Sequence, residues 1–307
     1  MRILVVGGNG SVGRGLVPAL LACGHDLTVL DLEIGALAEG PHLRLVKGAL
    51  EDADAVGEAS RGAEAIVHLA WSFSDDPVHL LEHDLRGHLR LLEAARAQRV
   101  RRFIYASSAV VYGKPLRVPI DESHPLEVLQ ARKPAYGMAK AFAEQLTRLA
   151  GQVSGLPATV LRLWWLFGEE ISGRHLRDML KTAAAGEPLP VPADCGGSFL
   201  TQSDFNRAVE LCLLDPEAAP QVFNLASGYV TWEEMAGLVV AVAKGTGGVQ
   251  VVPRGEWTGA AFLADRWELD DSRFRQRYGW APALHPSELR QSLRAALDHT
   301  WRAVANA

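Results

Sequence analysis

The chain has 307 residues, with 31 Lys and Arg against 36 Asp and Glu for a net charge of −5, and is 48% hydrophobic and 22% charged. That length allows one large α/β domain or one and a half, with a core that needs no disulfide or metal staple, and the ordinary composition excludes a disordered or fibrous protein. The mildly acidic balance offers no extended positive field, so no nucleic-acid partner is expected.

Residues 3–6 form a short apolar run closed by Gly7 and Gly8, the pattern of a strand buried on both faces. A helix is predicted over 11–23. Further strand runs follow at 27–30, ending in Asp31, at 43–46, at 65–69 before Trp71, at 103–106 before Ser107 and Ser108, and at 158–163 before two tryptophans. Helical patterns separate them, clearest at 78–97 and at 135–150, where Ala139, Phe142, Ala143, Leu146 and Leu149 make the predicted inward stripe. Strands alternating with helices predict a doubly wound parallel sheet with crossovers on both faces, the Rossmann architecture of the α/β class. After Phe167 glycine and proline become frequent (GEPLPVPADCGG) and helices are predicted at 231–243 and 286–300. The expected division is a nucleotide-binding Rossmann domain over 1–167 and a smaller, mainly substrate-binding domain over 168–307 that covers the open end of the sheet. Segments near 199–228 are expected to pack back on the first domain.

Cys23, Cys195 and Cys212 are odd in number and unrelated in spacing, which predicts free thiols in a reducing cytoplasm rather than a disulfide framework or a CxxC metal site. The opening MRILVVGG holds too short an apolar run for a signal sequence. No segment approaches the roughly 20 apolar residues that cross a bilayer. A soluble, cytoplasmic protein with no membrane partner is expected. His79 and His83 share a helix face, but no Glu follows His79 as in HExxH, so no metal is expected.

Gly7, Gly10 and Gly13 are spaced GxxGxxG between the first strand and the first helix. Glycines there permit a tight turn and close approach of a pyrophosphate, while the helix N-terminus supplies N–H groups and positive dipole. Asp31 ends the second strand, where a carboxylate can hydrogen-bond ribose hydroxyls and repel a 2′-phosphate, which favours NAD over NADP. At the other end of the site, Ser107 and Ser108 lie at the carboxyl edge of the predicted sheet, where open α/β folds bind ligands. Tyr136 and Lys140, in PAYGMAK, are i and i+4 on a helix and share a face, so phenol and ammonium can point to one place.

In this arrangement the chain resembles the extended short-chain dehydrogenases/reductases of the NAD-dependent epimerase/dehydratase group. The GxxGxxG turn, HLA at 68–70, GHLRLLEAA at 87–95, SSAVVYG, the YxxxK pair and YGWAP at 278–282 all fall in that family's order. The resemblance implies that Tyr136 is the proton-transfer group, that Lys140 holds the nicotinamide ribose and lowers the Tyr pKa, and that Ser108 hydrogen-bonds the substrate oxygen. It places the cofactor against Gly7, Gly10, Ser11, Val12, Gly13, Asp31, Leu50, Leu69 and Ala70, with Tyr136 and Lys140 at the reacting end. It places the substrate against Trp71, Ser108, Trp164, Trp165 and Arg174. Helices 78–97 and 135–150 resemble the pair at the family's dimer interface, which implies a homodimer.

Within the family, dehydratases carry an Asp-Glu pair after the serine and related decarboxylases carry a Glu; here Ala109 and Val110 can move no proton. The stretch is most like that of the sugar-nucleotide 4-epimerases. The expectation is therefore an NAD-dependent epimerase acting on a sugar nucleotide or related sugar. An NAD-dependent dehydrogenase of a free sugar, polyol or sugar acid is the alternative, and an NAD-sensing binding protein, expected to lack the Tyr-Lys pair, is the non-enzymatic one. The chain departs from the family at Trp165, where Asn is usual, at Gly197, where an Arg normally grips the nucleotide, and at Ala49 and Asp84, which replace an Asp and an Asn. The first two imply weak recognition of a nucleoside diphosphate.

Overall fold

A computed structural model describes residues 1–35, 37–171, 173–215 and 220–305. The chain forms two units: unit 1 comprises Met1–Lys114, Pro125–Leu163 and Phe205–Asn224, and unit 2 comprises Pro115–His124, Trp164–Asp204 and the chain from Leu225 onward.

Unit 1 is built by alternation. In chain order it holds β1 (Arg2–Val6), α1 (Gly13–Ala22), β2 (Asp26–Asp31), β3 (Leu43–Lys47), α2 (Ala53–Ser60), β4 (Ala65–His68), the single turn α3 (Pro77–His79), a π-helical turn Leu80–Leu85, α4 (Arg86–Ala97), β5 (Arg102–Ser108), α5 (Pro134–Ser154) and β6 (Ala158–Leu163). The registers joining β1 through β6 are all parallel. β1 and β4 are wholly or almost wholly apolar and buried, which suits strands covered on both faces. A seventh strand, β10 (Gln221–Leu225), joins beside β6, so the sheet order is β10-β6-β5-β4-β1-β2-β3. It arrives through α7 (Gln202–Leu214), whose later residues are tied within unit 1. Asn206 donates to the Gly15 carbonyl at 2.9 Å and His25 meets Glu210 at 3.0 Å.

Two helical expectations are corrected. The helix predicted over 78–97 is interrupted by the π-turn 80–85, which buries Leu80, Asp84 and Leu85; single π-turns mark functional sites more often than chance. In α5 the inward stripe is also different. Phe142 and Leu149 are about half exposed, while Tyr136, Ala139, Lys140, Ala143, Glu144, Thr147 and Gly151 are buried. The physical reason is that Lys140, Glu144 and Thr147 each find a polar partner inside, so an apolar-only rule misplaces the face.

Unit 2 holds β7 (Trp165–Phe167), α6 (Arg174–Ala184), β8 (Leu189–Pro192), β9 (Gly196–Thr201), β11 (Gly228–Thr231), α8 (Trp232–Ala243), β12 (Val249–Val252), β13 (Arg266–Trp267), α9 (Ser272–Tyr278) and α10 (Pro286–Ala305). Its four-stranded sheet is centred on β9, flanked by β11 and β13 with β7 also paired to β9, and β8 pairs with β12. α8 packs against both α6 and α10 over a core that includes Leu176, Leu180, Phe199, Trp232 and Leu293. A reciprocal capping box between Thr231 and Glu234 starts α8.

Candidate active site

The register of β1 with β2 and β4 pairs Val6 with both Leu30 and His68, so Gly7, Asp31 and Leu69 share one sheet edge. Gly7 has φ +81°, and a Cβ there would stand 2.6 Å from the Ala70 amide nitrogen; one at Gly13 would stand 2.3 Å from the Gly7 carbonyl oxygen. No side chain caps α1 and no acidic residue lies in its first turn, which suits an anion at that end. Gly10 and Ser11 are exposed, and Val12 is half-buried. The Asp31 carboxylate accepts the Asn9 N–H at 2.8 Å, so it braces the glycine turn and stays half-exposed. Leu50 packs against Gly87 at the start of α4, where a Cβ would come within 2.4 Å of the leucine. These residues fit a dinucleotide: a tight glycine cradle, a helix N-terminus without a side-chain cap and a carboxylate at the end of β2.

Tyr136, Lys140 and Ser108 are also in unit 1. Tyr136 is 8% exposed and Lys140 3% exposed, on one face of α5. The Lys140 ammonium donates to the Ala106 carbonyl at 2.9 Å and lies 4.3 Å from the Trp71 ring, 4.8 Å from the Tyr105 ring and 6.0 Å from the Tyr136 ring. Burial raises the Tyr136 phenol, the Asp84 carboxylate adds to the rise, and a hydrogen bond with Ser108 opposes both. Burial pulls Lys140 down to about 7 against the opposing pull of Asp84 and Glu144. Ser108 also accepts the Val110 N–H at 3.2 Å, which fixes its hydroxyl at the end of β5.

Behind these groups lies a layer that sequence patterns do not reveal. Glu144 accepts from Arg162 at 2.6 Å and from the Ser107 hydroxyl at 2.5 Å, with both ions of the pair at most 5% exposed. His68 stacks on Tyr105 with ring centroids 5.3 Å apart, and His88 meets Thr147 at 2.9 Å. Burial keeps both imidazoles neutral, His88 down to about 3, with the Lys140 charge adding to the effect in each. In the loop after β4, Leu69, Ala70 and Trp71 were expected, but Phe73 and Asp75 were missed. Phe73 meets the Tyr136 ring edge-on at 5.0 Å, and Asp75 accepts the Tyr136 N–H at 3.2 Å, capping a helix whose own N-cap residue, Lys133, offers no side chain. An acidic residue a few positions after a strand end was the only signal available for that cap.

The remaining expected substrate residues belong to unit 2. Trp164 stands over Gly197, where a Cβ would come within 2.2 Å of the indole, and Trp165 stands over Gly173, where the distance is 2.6 Å. The two tryptophans are 5.4 Å apart, and each packs on Phe199. Arg174 opens α6 with its side chain 89% exposed, 3.8 Å from Asp178. His79 and His83 lie with ring centroids 4.6 Å apart and their planes tilted by 42°, and His83 pairs with Glu51. Among the described residues no group of three His, Cys, Asp or Glu side chains is arranged to hold a metal, and no helix is long and apolar enough to cross a membrane.

Residues 3–226 match the NAD dependent epimerase/dehydratase family. A dTDP-glucose 4,6-dehydratase from Streptomyces niveus is 29% identical over 92% of this chain and 89% of its own length. Among solved structures, the enzyme WbmG of Bordetella bronchiseptica in complex with NAD and UDP is similar at TM-score 0.81 and 25% identity, covering 99% of this chain and 96% of that one. UDP-glucose 4-epimerase of Thermus thermophilus, in complex with NAD, is similar at TM-score 0.78 and 26% identity, covering 98% of this chain and 99% of that one. With the cradle, the sheet and these similarities in agreement, the chain belongs to the NAD dependent epimerase/dehydratase family and is an enzyme whose cofactor is NAD.

Proposed function

We propose that this enzyme is an epimerase of a sugar nucleotide or related sugar, inverting one carbinol carbon by transient oxidation. The observation that carries the reading is the grouping of Ser108, Tyr136 and Lys140 at the carboxyl edge of the sheet, followed directly by Ala109 and Val110. Those two residues offer no acid or base for eliminating water, so the stretch supports oxidation and reduction at one carbon and nothing further. When bound, NAD supplies the hydride acceptor and donor. Ser108 would hold the substrate oxygen, and Tyr136 would take the hydroxyl proton at its phenol oxygen and later return it. In the resting chain the buried phenol keeps its proton. The lowered Tyr136 pKa expected from Lys140 is not found in the resting chain, because burial raises the phenol and pulls Lys140 down to about 7; Lys140, held on the Ala106 carbonyl, would favour the phenolate when protonated. The UDP bound by the similar Bordetella enzyme supports a sugar nucleotide as substrate class. The test is product analysis with UDP-hexoses: interconverted epimers without accumulating NADH support the reading, and net NADH formation refutes it.

A dehydrogenase of a free sugar, polyol or sugar acid is the second reading, favoured by one observation. The space beside Gly197 is filled by Trp164, and Arg174 faces solvent, which leaves unit 2 without an obvious diphosphate clamp among these positions. We further propose a cytoplasmic homodimer formed through α4 and α5, which expose Leu89, Met138, Phe142, Leu149 and Val153. Sedimentation at micromolar concentration checks this, with a monomer as the contrary result.

A further inference from the structure

We propose that Asp84 is a positioning residue of this site, anchoring the loop after β4 over the start of α5 and serving as the buried counter-charge of Lys140; this rests on the Ser108, Tyr136 and Lys140 assignment. Asp84 sits on the π-helical turn and is 7% exposed. Its carboxylate accepts two hydrogen bonds from Ser72, one from the backbone N–H at 2.7 Å and one from the hydroxyl. Ser72 lies in the middle of a strap. On one side Trp71 lays its ring 4.3 Å from the Lys140 ammonium, and on the other Phe73 abuts the Tyr136 ring. Asp75 then takes the Tyr136 N–H, and the Lys133 ammonium donates to the Phe73 carbonyl and lies 4.0 Å from its ring. One carboxylate thus holds the segment that walls both members of the Tyr-Lys pair.

Its charge has a separate effect. The titratable and charged groups around Lys140 are Asp84 from the π-turn, Glu144 and Tyr136 from its own helix, His68 from β4, Tyr105 from β5 and His88 from α4. The two imidazoles are held neutral by burial, and Glu144 is already shared with Arg162 and Ser107. Asp84 therefore supplies negative charge that opposes the burial pulling Lys140 down to about 7. Around Tyr136 stand Asp84, Ser108, the Tyr105 phenol and Asp75 on the helix N–H. There the Asp84 charge acts in the opposite sense, opposing the phenolate. An amide at this position would keep an acceptor for Ser72 and lose both electrostatic effects.

The experiment compares Asp84→Asn and Asp84→Ala with the wild-type chain, without substrate, so that it does not depend on the reaction. Lys140 is titrated by the pH dependence of its competitive acylation, read by mass spectrometry, and the strap by amide hydrogen exchange at 69–76. Asp84→Asn should lower the Lys140 midpoint by about one pH unit while exchange of the strap stays near wild type. Asp84→Ala should lower the midpoint and also speed exchange at Ser72 and its neighbours. The pH profile of turnover on a substrate should shift to lower pH on both limbs in Asp84→Asn, because phenol and ammonium both titrate lower. An unchanged Lys140 midpoint in a folded Asp84→Asn protein overturns the proposal, whatever the turnover. Ser72→Ala covers the case in which neither Asp84 variant folds: it keeps the carboxylate and its bond from the backbone N–H but loses the hydroxyl bond, so the Lys140 midpoint should hold while exchange at 69–76 rises by less than in a full release of the strap. Unaltered exchange there also overturns the anchoring role. Loss of turnover on every substrate in the wild-type chain would count against the epimerase reading and leave these titrations standing.

Discussion

Removing Glu144 should damage unit 1 far more than an average core substitution. Its carboxylate accepts from Arg162 Nε at 3.0 Å, from Arg162 Nη2 at 2.6 Å and from the Ser107 hydroxyl at 2.5 Å. The Arg162 side chain is 5% exposed, and its guanidinium carbon lies 4.8 Å from the centre of the Tyr112 ring. In Glu144→Ala the guanidinium stays charged in a place that water does not reach. Breaking such a pair costs about 3–5 kcal/mol, whereas replacing both ions with apolar groups of similar volume costs far less. At roughly 2–4 °C per kcal/mol for a domain of 150–250 residues, the melting temperature should fall by roughly 6–20 °C. The assay is thermal unfolding followed by circular dichroism at a fixed, saturating NAD concentration, because ligand binding itself raises the midpoint. Arg162→Met should lose a comparable amount, and Glu144→Leu combined with Arg162→Met should recover most of it. A loss below about 1 kcal/mol in Glu144→Ala would refute the reasoning, since it would mean that Arg162 finds another way to be solvated. Because Ser107 precedes Ser108, the same variant should also lower turnover by loosening the end of β5.

Gly13→Ala places a methyl 2.3 Å from the Gly7 carbonyl oxygen, so NAD affinity, measured by calorimetry, should fall by at least tenfold; wild-type affinity would show that the turn is more adaptable than its geometry. Asp31 should make NAD bind more tightly than NADP, and Asp31→Ser should narrow the gap; equal affinities in the wild-type protein would contradict its assigned role. Gly197→Ala sets a methyl 2.2 Å from the Trp164 ring and should cost about 1–3 kcal/mol, partly relieved by adding Trp164→Ala, as read from denaturant unfolding.

The architecture was legible because its signals are local. Runs of four to six mostly apolar residues, separated by helical or loop patterns, mark strands covered on both faces, and the observed β1 to β6 fall on them. The glycine turn and the Tyr-Lys spacing were legible for the same reason, since each lies within a few residues of one element. What escaped notice joins distant parts of the chain. Glu144 and Arg162 look like ordinary surface charges until α5 is laid against β6, and Asp84 looks like a helix-face carboxylate until the π-turn carries it inward to Ser72. The predicted stripe of α5 failed at Phe142 and Leu149 because hydrophobicity was taken as the mark of the inner face, whereas that face is partly polar and paired. At Gly197 the absent side chain was visible in the sequence, but the indole that takes its space was not.

The central claim is that Tyr136 moves the proton while hydride leaves and returns to one carbon of a sugar. The most direct measurement follows a UDP-hexose deuterated at the carbon to be inverted, with the NAD-loaded enzyme and its Tyr136→Phe variant. Epimer formation with deuterium retained, NADH never exceeding the enzyme, and a rate lowered by roughly 10²–10⁴ in Tyr136→Phe are the predicted results. NADH accumulating in step with an oxidised product, or a Tyr136→Phe variant that works at the wild-type rate, would contradict it.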